Sequence, residues 1–205
     1  MRVLITGSAG FLGGHVADAF VQAGHEVTGF DQRETNLPEV QSVLGDFLDE
    51  GLLTEVLADK DVICHIGAIG DVYLAAEQPA LAASVNVAGS ATVGRAAAKT
   101  GTRVVYASTW EVYGEPEYEP VDEQHRCEPD HPYNITKLAG ERVLLSLGHL
   151  EHFPVIALRL GTAYGLGMRP NSVFNIFMAK AKAGEPITIQ GDGSQGRQFT
   201  HANDI

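Results

Sequence analysis

Tyr133 and Lys137 stand four residues apart in the run Tyr133-Asn134-Ile135-Thr136-Lys137, so on a helix they share one face. A free phenol titrates near pKa ~10, and a neighbouring ammonium favours its phenolate by roughly 1–3 units. Such a tyrosine can act as a general base near neutral pH. The spacing alone is weak, because a Tyr and a Lys at this distance occur by chance in many helices. A second cluster strengthens it. Val104-Val105-Tyr106-Ala107-Ser108-Thr109 runs an apolar strand into two hydroxyls, and Trp110-Glu111-Val112-Tyr113-Gly114 follows. Hydroxyls at the carboxyl end of a parallel strand face the ligand crevice, where they can hydrogen-bond a substrate oxygen.

Nearer the N-terminus, Thr6-Gly7-Ser8-Ala9-Gly10-Phe11-Leu12-Gly13 follows a short apolar strand and opens a helix. That context gives a glycine triplet meaning. Gly7 can make the tight turn, Gly10 can let the backbone approach a pyrophosphate, and Gly13 can let the helix pack closely; Phe11 and Leu12 lie between them at the helix start, where free N–H groups and the dipole favour phosphate. Asp31 ends the next strand at the distance expected of a carboxylate that accepts hydrogen bonds from ribose hydroxyls. It repels a 2′-phosphate and so favours NAD over NADP, although Arg33 follows and can hold that phosphate. A bound oxidised nicotinamide would add a second positive charge near Tyr133.

The elements that must position these groups read as an alternation. Arg2–Thr6, Glu26–Phe30, Val40–Leu44, Asp61–Ile66, Arg103–Ala107 and Val155–Leu160 read as strands, with helices near Gly10–Ala23, Leu52–Ala58, Pro79–Lys99, Pro132–Leu147 and Ser172–Ala183. Strands apolar on both faces belong in a parallel sheet covered by helices on each side, which predicts a doubly wound α/β fold of the Rossmann type. Residues 115–132 are rich in Glu, Asp and Pro without periodicity, and are open to two readings: a solvated acidic excursion or a loop over the substrate.

The chain has 205 residues, 44% of them hydrophobic, enough for a sizeable core. Its formal charge of -12 sets it against nucleic acid and anionic membrane as partners. Arg159, Arg169 and Arg197 remain as local groups able to hold a small anionic ligand. Two distant cysteines, Cys64 and Cys127, give no disulfide framework and suit the cytoplasm, and Met1 leads straight into a strand too short for a signal peptide or membrane span. His125, Cys127 and His131 fit no zinc spacing, and Pro129 interrupts them, so no metal is expected.

Taken in order, TGSAGFLGG at 6–14, Asp31, Gly45-Asp46-Phe47, His65-Ile66-Gly67-Ala68, Asn86 within SVNVAGS, STWEVYG at 108–114, YNITK at 133–137 and GDGSQGRQF at 191–199 resemble the extended short-chain dehydrogenase/reductase family, in its NAD-dependent sugar-nucleotide epimerase and dehydratase branch. The resemblance spans essentially the whole chain. It implies that Asp46 and Phe47 contact the adenine and that Gly67 and Ala68 line the cofactor. It places Asn86 in support of the active site from a neighbouring helix, within the cofactor-binding set. It implies that the Thr109 hydroxyl assists proton transfer beside Tyr133, and that Lys137 binds the nicotinamide ribose. Arg197 would hold the diphosphate of a nucleoside-diphosphate sugar. Helices near 79–99 and 132–147 carry a second apolar face, and in relatives such helices pair two subunits, so a homodimer is expected.

Three departures qualify the resemblance. Trp110 stands where dehydratases carry a proton-donating aspartate, and an indole cannot replace it. Glu111 next to it can act in decarboxylation or at a neighbouring carbon, or only shape the loop. Thr162 replaces an asparagine that meets substrate phosphates in relatives but can still donate one hydrogen bond. Relatives also continue well past the segment matching 199–205. The expectation is therefore an NAD-binding domain at 1–160 followed by a partial, truncated substrate region at 161–205. The activity implied is epimerisation through a 4-keto sugar, with decarboxylation, dehydration or keto-sugar reduction as the same chemistry turned to other products. A cofactor-binding module without turnover is the alternative of another class. Trp110 is expected to face the sugar and Tyr113 to pack in the core.

Overall fold

The computed structural model describes residues 1–189, 191–194 and 196–205. They form two compact units, Met1–Leu160 and Gly161–Ile205.

The first unit is built on a six-stranded parallel sheet in the order β3-β2-β1-β4-β5-β6, made by β1 (Arg2–Thr6), β2 (Glu26–Asp31), β3 (Gln41–Leu44), β4 (Val62–His65), β5 (Arg103–Thr109) and β6 (Val155–Leu160). All five pairings are parallel, and the strand order reverses at β1/β4. Ligands of doubly wound sheets bind at such a reversal, outside the carboxyl ends of the strands. The glycine turn after β1 stands there.

Two apolar layers hold the sheet. On one face Leu4, Phe30, Ile63, Val104 and Tyr106 pack with Leu53 and Leu57 of α2 (Glu50–Leu57), Val93 of α5 (Gly89–Thr100) and Leu144 of α6 (Pro132–Leu150). On the other, Val3, Ile5, Val27 and Cys64 pack against Ala17 of α1 (Phe11–Gln22). Helices cover both faces as expected; on the edge strand β6, Ile156 is 59% and Leu158 42% exposed.

The predicted helix at 79–99 is interrupted. α4 (Pro79–Ala83) passes into a π-helical turn at Ser84–Ala88 before α5 begins, and a short α3 (Val72–Glu77) that periodicity did not reveal precedes it. Single π turns recur at functional sites, and this one carries Asn86, whose carbonyl accepts from Ser90 Oγ at 2.6 Å. α6 approaches it at Gly140, where a Cβ would meet the Asn86 carbonyl at 2.5 Å and Tyr106 Oη at 2.8 Å.

In the second unit β7 (Thr162–Tyr164) pairs in parallel with β8 (Phe199–His201), and α7 (Val173–Ala183) lies between them in sequence. Tyr164 stacks on Phe174 with centroids 5.1 Å apart. Among the described residues no helix is long and apolar enough to cross a membrane.

Candidate active site

Gly7 turns the chain at φ +72°, and a Cβ there would lie 2.8 Å from the Gly67 backbone, so β1 and the segment after β4 meet as closely as bare backbone allows. Gly10 N–H donates to the Gly7 carbonyl at 3.0 Å, and Gly10 becomes the extended N-cap of α1 with no side chain capping it. A methyl at Gly13 would run into that same Gly7 carbonyl. The third glycine therefore packs the helix on the turn rather than on the strand. The product is a helix N-terminus opening at the crevice, a ready anion site. Asp31 is tied to it: one carboxylate oxygen accepts from Ala9 N–H at 3.1 Å, the other from Arg33 N–H at 3.2 Å. The cradle therefore fits a dinucleotide, because a side chain at Gly7 or Gly13 would fill the space its turn needs.

A buried hydrogen-bond chain runs from this cradle to α6. Thr6 Oγ1 accepts from Ile66 and Gly67 N–H, each at 3.1 Å, so its own proton points to His65 Nδ1 at 2.8 Å. The imidazole proton then sits on Nε2 and is offered to Ser90 Oγ at 3.3 Å, and Ser90 donates on to Asn86. Asn86 holds both backbone groups of Ile69, at 2.8 and 3.2 Å, and donates to Thr136 Oγ1 at 3.0 Å. Thr136 donates in turn to the Tyr133 carbonyl at 2.9 Å. Burial, with Lys137 nearby, pushes His65 down to about 3, which keeps the ring neutral as this pattern requires.

α6 begins at Pro132 with His131 as N-cap, its Nδ1 accepting from Tyr133 N–H at 3.2 Å. Tyr133 is half-buried at the first turn; Lys137, one turn on, is buried, with its Nζ 4.2 Å from the centre of the Tyr106 ring. Burial drives Lys137 down to about 7, opposed by the Glu141 carboxylate a further turn along. Thr109 is buried at the end of β5, and its hydroxyl accepts from Glu111 N–H at 3.3 Å to start a 3-10 turn over Trp110–Tyr113. Beside these groups lies a cleft of about 350 Å³ lined by Val72, Tyr73, Glu111, Asp130, His131 and Asn134. That size suits a small ligand, pockets for which run ~300–1,000 Å³.

Residues 3–205 match the model of the NAD dependent epimerase/dehydratase family. The chain belongs to that family. It is 31% identical over 214 residues to the putative UDP-glucose 4-epimerase of Methanocaldococcus jannaschii, covering 99% of this chain and 70% of the relative. The crystal structure of UDP-glucose 4-epimerase from Thermotoga maritima with UDP-glucose superposes with a TM-score of 0.92 at 26% identity, covering 100% of this chain and 70% of that one. The UDP-glucuronic acid 4-epimerase of Bacillus cereus, in complex with UDP-glucuronic acid and NAD, gives 0.90 at 29% identity, with 100% and 70% covered. The chain thus spans about 70% of the length of these epimerases.

With the epimerase/dehydratase framework in place, the residues singled out in sequence divide clearly. The structure gathers Gly7, Gly10, Phe11, Leu12, Gly13 and Asp31 at one end of β1 and β2, and sets Gly67 behind Gly7 with Ala68 next to it. Asp46 is exposed beside them, accepting from Leu48 N–H at 2.9 Å. Phe47 turns its ring inward, edge-on to His65 with centroids 5.2 Å apart and 2.7 Å from where a Gly67 Cβ would lie. Trp110 is half-buried and Tyr113 buried. Thr162 and Arg197 belong to the second unit, Thr162 on β7 and Arg197 exposed with its guanidinium on the Gly196 carbonyl at 2.9 Å. Within the GDGSQGRQF segment, Gln195 lies outside the described residues.

One expectation needs correction. Arg159 is no free anion binder: its fork is engaged with Glu141 at 2.7 and 3.3 Å and with Tyr113 Oη at 3.0 Å. An isolated guanidinium in a strand calls for such pairing. Residues 115–132 are mostly exposed but packed at one point. His125 is buried under the Tyr113 and Tyr118 rings, its Nε2 accepting from Glu117 N–H at 2.9 Å and its Nδ1 donating to the Arg126 carbonyl at 2.8 Å, while Asp130 and His131 reach the cleft. Among the described residues no three His, Cys, Asp or Glu side chains gather as a metal site.

Glu141, Ser90 and Gly140 escaped the sequence reading, and Ser108, read as a hydroxyl open to substrate, donates instead to Glu141 at 2.6 Å. For Glu141 a signal existed, since it continues the four-residue spacing of Tyr133 and Lys137 into the helix.

Proposed function

We propose that this chain binds NAD and a nucleoside-diphosphate sugar and epimerises the sugar at C4 through a 4-keto intermediate. The observation that carries the reading is the buried Lys137 ammonium one helical turn from Tyr133, in the same unit as a dinucleotide cradle. A buried cation next to a phenol is a device for making phenolate near neutral pH.

Gly7, Gly10, Phe11, Leu12 and Gly13 hold the pyrophosphate of NAD at the α1 N-terminus, and Asp31 takes the ribose hydroxyls and disfavours the 2′-phosphate of NADP. Asp46 and Phe47 bound the adenine end; Gly67, Ala68 and Asn86 line the path to the nicotinamide, and Lys137 binds its ribose. Bound NAD would supply reversible hydride acceptance, the redox chemistry that no side chain here provides. Tyr133 removes the C4 hydroxyl proton and gives it back, with Thr109 hydrogen-bonding the same oxygen. Residues 1–160 carry the cofactor, with Trp110 as the candidate contact to the sugar; within residues 161–205, Thr162 and Arg197 are the candidate ligands of the diphosphate. The M. jannaschii and T. maritima relatives are named for UDP-glucose and the B. cereus one for UDP-glucuronic acid. These names support the substrate class.

The test is conversion of a panel of UDP-sugars by the NAD-loaded protein, with C4 configuration read by NMR. Interconversion of C4 epimers, lost in Tyr133→Phe, is expected. Turnover unchanged in that variant refutes the assignment. A second reading is favoured by Glu111 lining the cleft: a carboxyl there can move a proton in decarboxylation of a uronic acid, and loss of carbon dioxide in the same panel decides for it. Trp110 leaves dehydration without its acid.

We also infer a homodimer, since Leu81 of α4 and Ile135 and Leu145 of α6 are exposed on the two predicted helices; sedimentation tests it. The free cysteines fit a cytoplasmic setting.

A further inference from the structure

Glu141 is 1% exposed and accepts three hydrogen bonds: from Ser108 Oγ at 2.6 Å, from Arg159 Nη2 at 2.7 Å and from Arg159 Nε at 3.3 Å. Ser108 immediately precedes Thr109. Arg159 pairs with Ser108 across β5 and β6, and its Nη1 donates at 3.0 Å to Tyr113 Oη, at the end of the 3-10 turn that Thr109 starts. One buried carboxylate on α6 is thus fastened to both ends of the segment 108–113. On its own helix it follows Tyr133 and Lys137 at successive intervals of four residues.

We propose that Glu141, through Ser108 and Arg159, is a positioning residue that sets the Thr109 turn against the Tyr133 and Lys137 face of α6. The proposal rests on the sugar-nucleotide reading above. A buried pair of this kind is a poor source of net stability, because desolvation offsets its attraction. Its value lies in register: two elements distant in sequence are held to one geometry by three directional, charge-assisted bonds. The staple has an electrostatic consequence. Lys137 is faced by Tyr133 and Glu141 on its own helix, by Tyr106 from β5 and by His65 from β4, and of these Glu141 carries the negative charge that supports its ammonium. Glutamine at 141 keeps the shape but removes the carboxylate that favours the Lys137 ammonium. Lys137 then sheds its proton more readily, and Tyr133 loses the cation that favours its phenolate.

The test compares wild type with Glu141→Gln and Tyr113→Phe, all NAD-loaded. For Glu141→Gln, kcat should fall about 10- to 100-fold while KM for the UDP-sugar and Kd for NAD stay within about threefold. The Tyr133 phenolate midpoint, read as the near-ultraviolet difference from the matching Tyr133→Phe protein, should rise by about half a pH unit or more. Tyr113→Phe cuts one arm and leaves the ion pair, so kcat should fall about three- to tenfold; it carries the test should Glu141→Gln not fold. Unchanged kcat in either variant overturns the proposal, as do a phenolate midpoint unmoved or lowered and losses of kcat, KM and NAD affinity in common proportion. If wild type turns over no UDP-sugar, the functional reading fails, whereas the phenolate midpoint still decides the positioning role.

Discussion

The Lys137 ammonium lies 4.2 Å from the centre of the Tyr106 ring, in a position where the lysine is 3% exposed. The ring face supports the cation, yet burial wins and holds Lys137 at about 7 against an ordinary 10.5. The molecule thus keeps one helical turn from Tyr133 a charge that its fold disfavours.

Lys137→Met is therefore expected to raise stability at pH 7 by about 1–3 kcal/mol, since a thioether of similar length removes the buried charge. Turnover should fall by at least about 10²-fold. Chemical denaturation and the UDP-sugar assay check the two together; a fold weakened by the change refutes the account of Lys137 as a strained group.

Stability should also depend on Lys137 through pH. Between about 7 and 10.5 the unfolded chain binds more protons at this site than the folded one, so unfolding free energy rises with pH across that window. In Lys137→Met the rise should be smaller by up to about 1.4 kcal/mol per pH unit.

His65 gives an acid-side prediction. Its folded value near 3 lies below the ordinary 6.5, so from pH 6.5 down toward 3 the unfolded state takes up the proton and stability falls. His65→Gln should flatten that limb by up to about 1.4 kcal/mol per pH unit in denaturation curves, at the cost of a weaker link between Thr6 and Ser90.

Gly13→Ala places a methyl into the Gly7 carbonyl. The turn or α1 must shift, so NAD affinity measured by calorimetry should drop about tenfold or more, with a loss of about 1–3 kcal/mol in stability. Gly24→Ala is the control. Gly24 lies away from the crevice with nothing within 4 Å of its Cβ, so NAD affinity should be unchanged in that variant.

Thr109 stands at the end of a strand whose hydroxyl pair divides its work: Ser108 is spent on Glu141 and Thr109 on the turn it starts. Thr109→Val, of equal shape, should lower kcat about 10- to 100-fold with NAD affinity unchanged, and Thr109→Ser should restore most of it. Steady-state kinetics decides.

What the sequence determined by itself was local and periodic. The β1 strand, the three glycines and Asp31 were legible because a phosphate turn needs those residue types at fixed short spacing. Tyr133 and Lys137 were legible because a helix repeats every 3.6 residues. Six parallel strands followed from six apolar runs between amphipathic helices. The tertiary structure decided what depends on approach between distant segments. Arg159 reads in sequence as a cation free for a ligand, but burial against Glu141, eighteen residues earlier, forces it into an internal pair. The close approach of the Phe47 ring to Gly67 and Gly89 is another such contact. The helix expected over 79–99 opens into a π turn at Asn86, whose side chain spans from Ile69 to Thr136. No spacing rule encodes these contacts, because a buried polar group takes whatever partner the packed fold brings within reach.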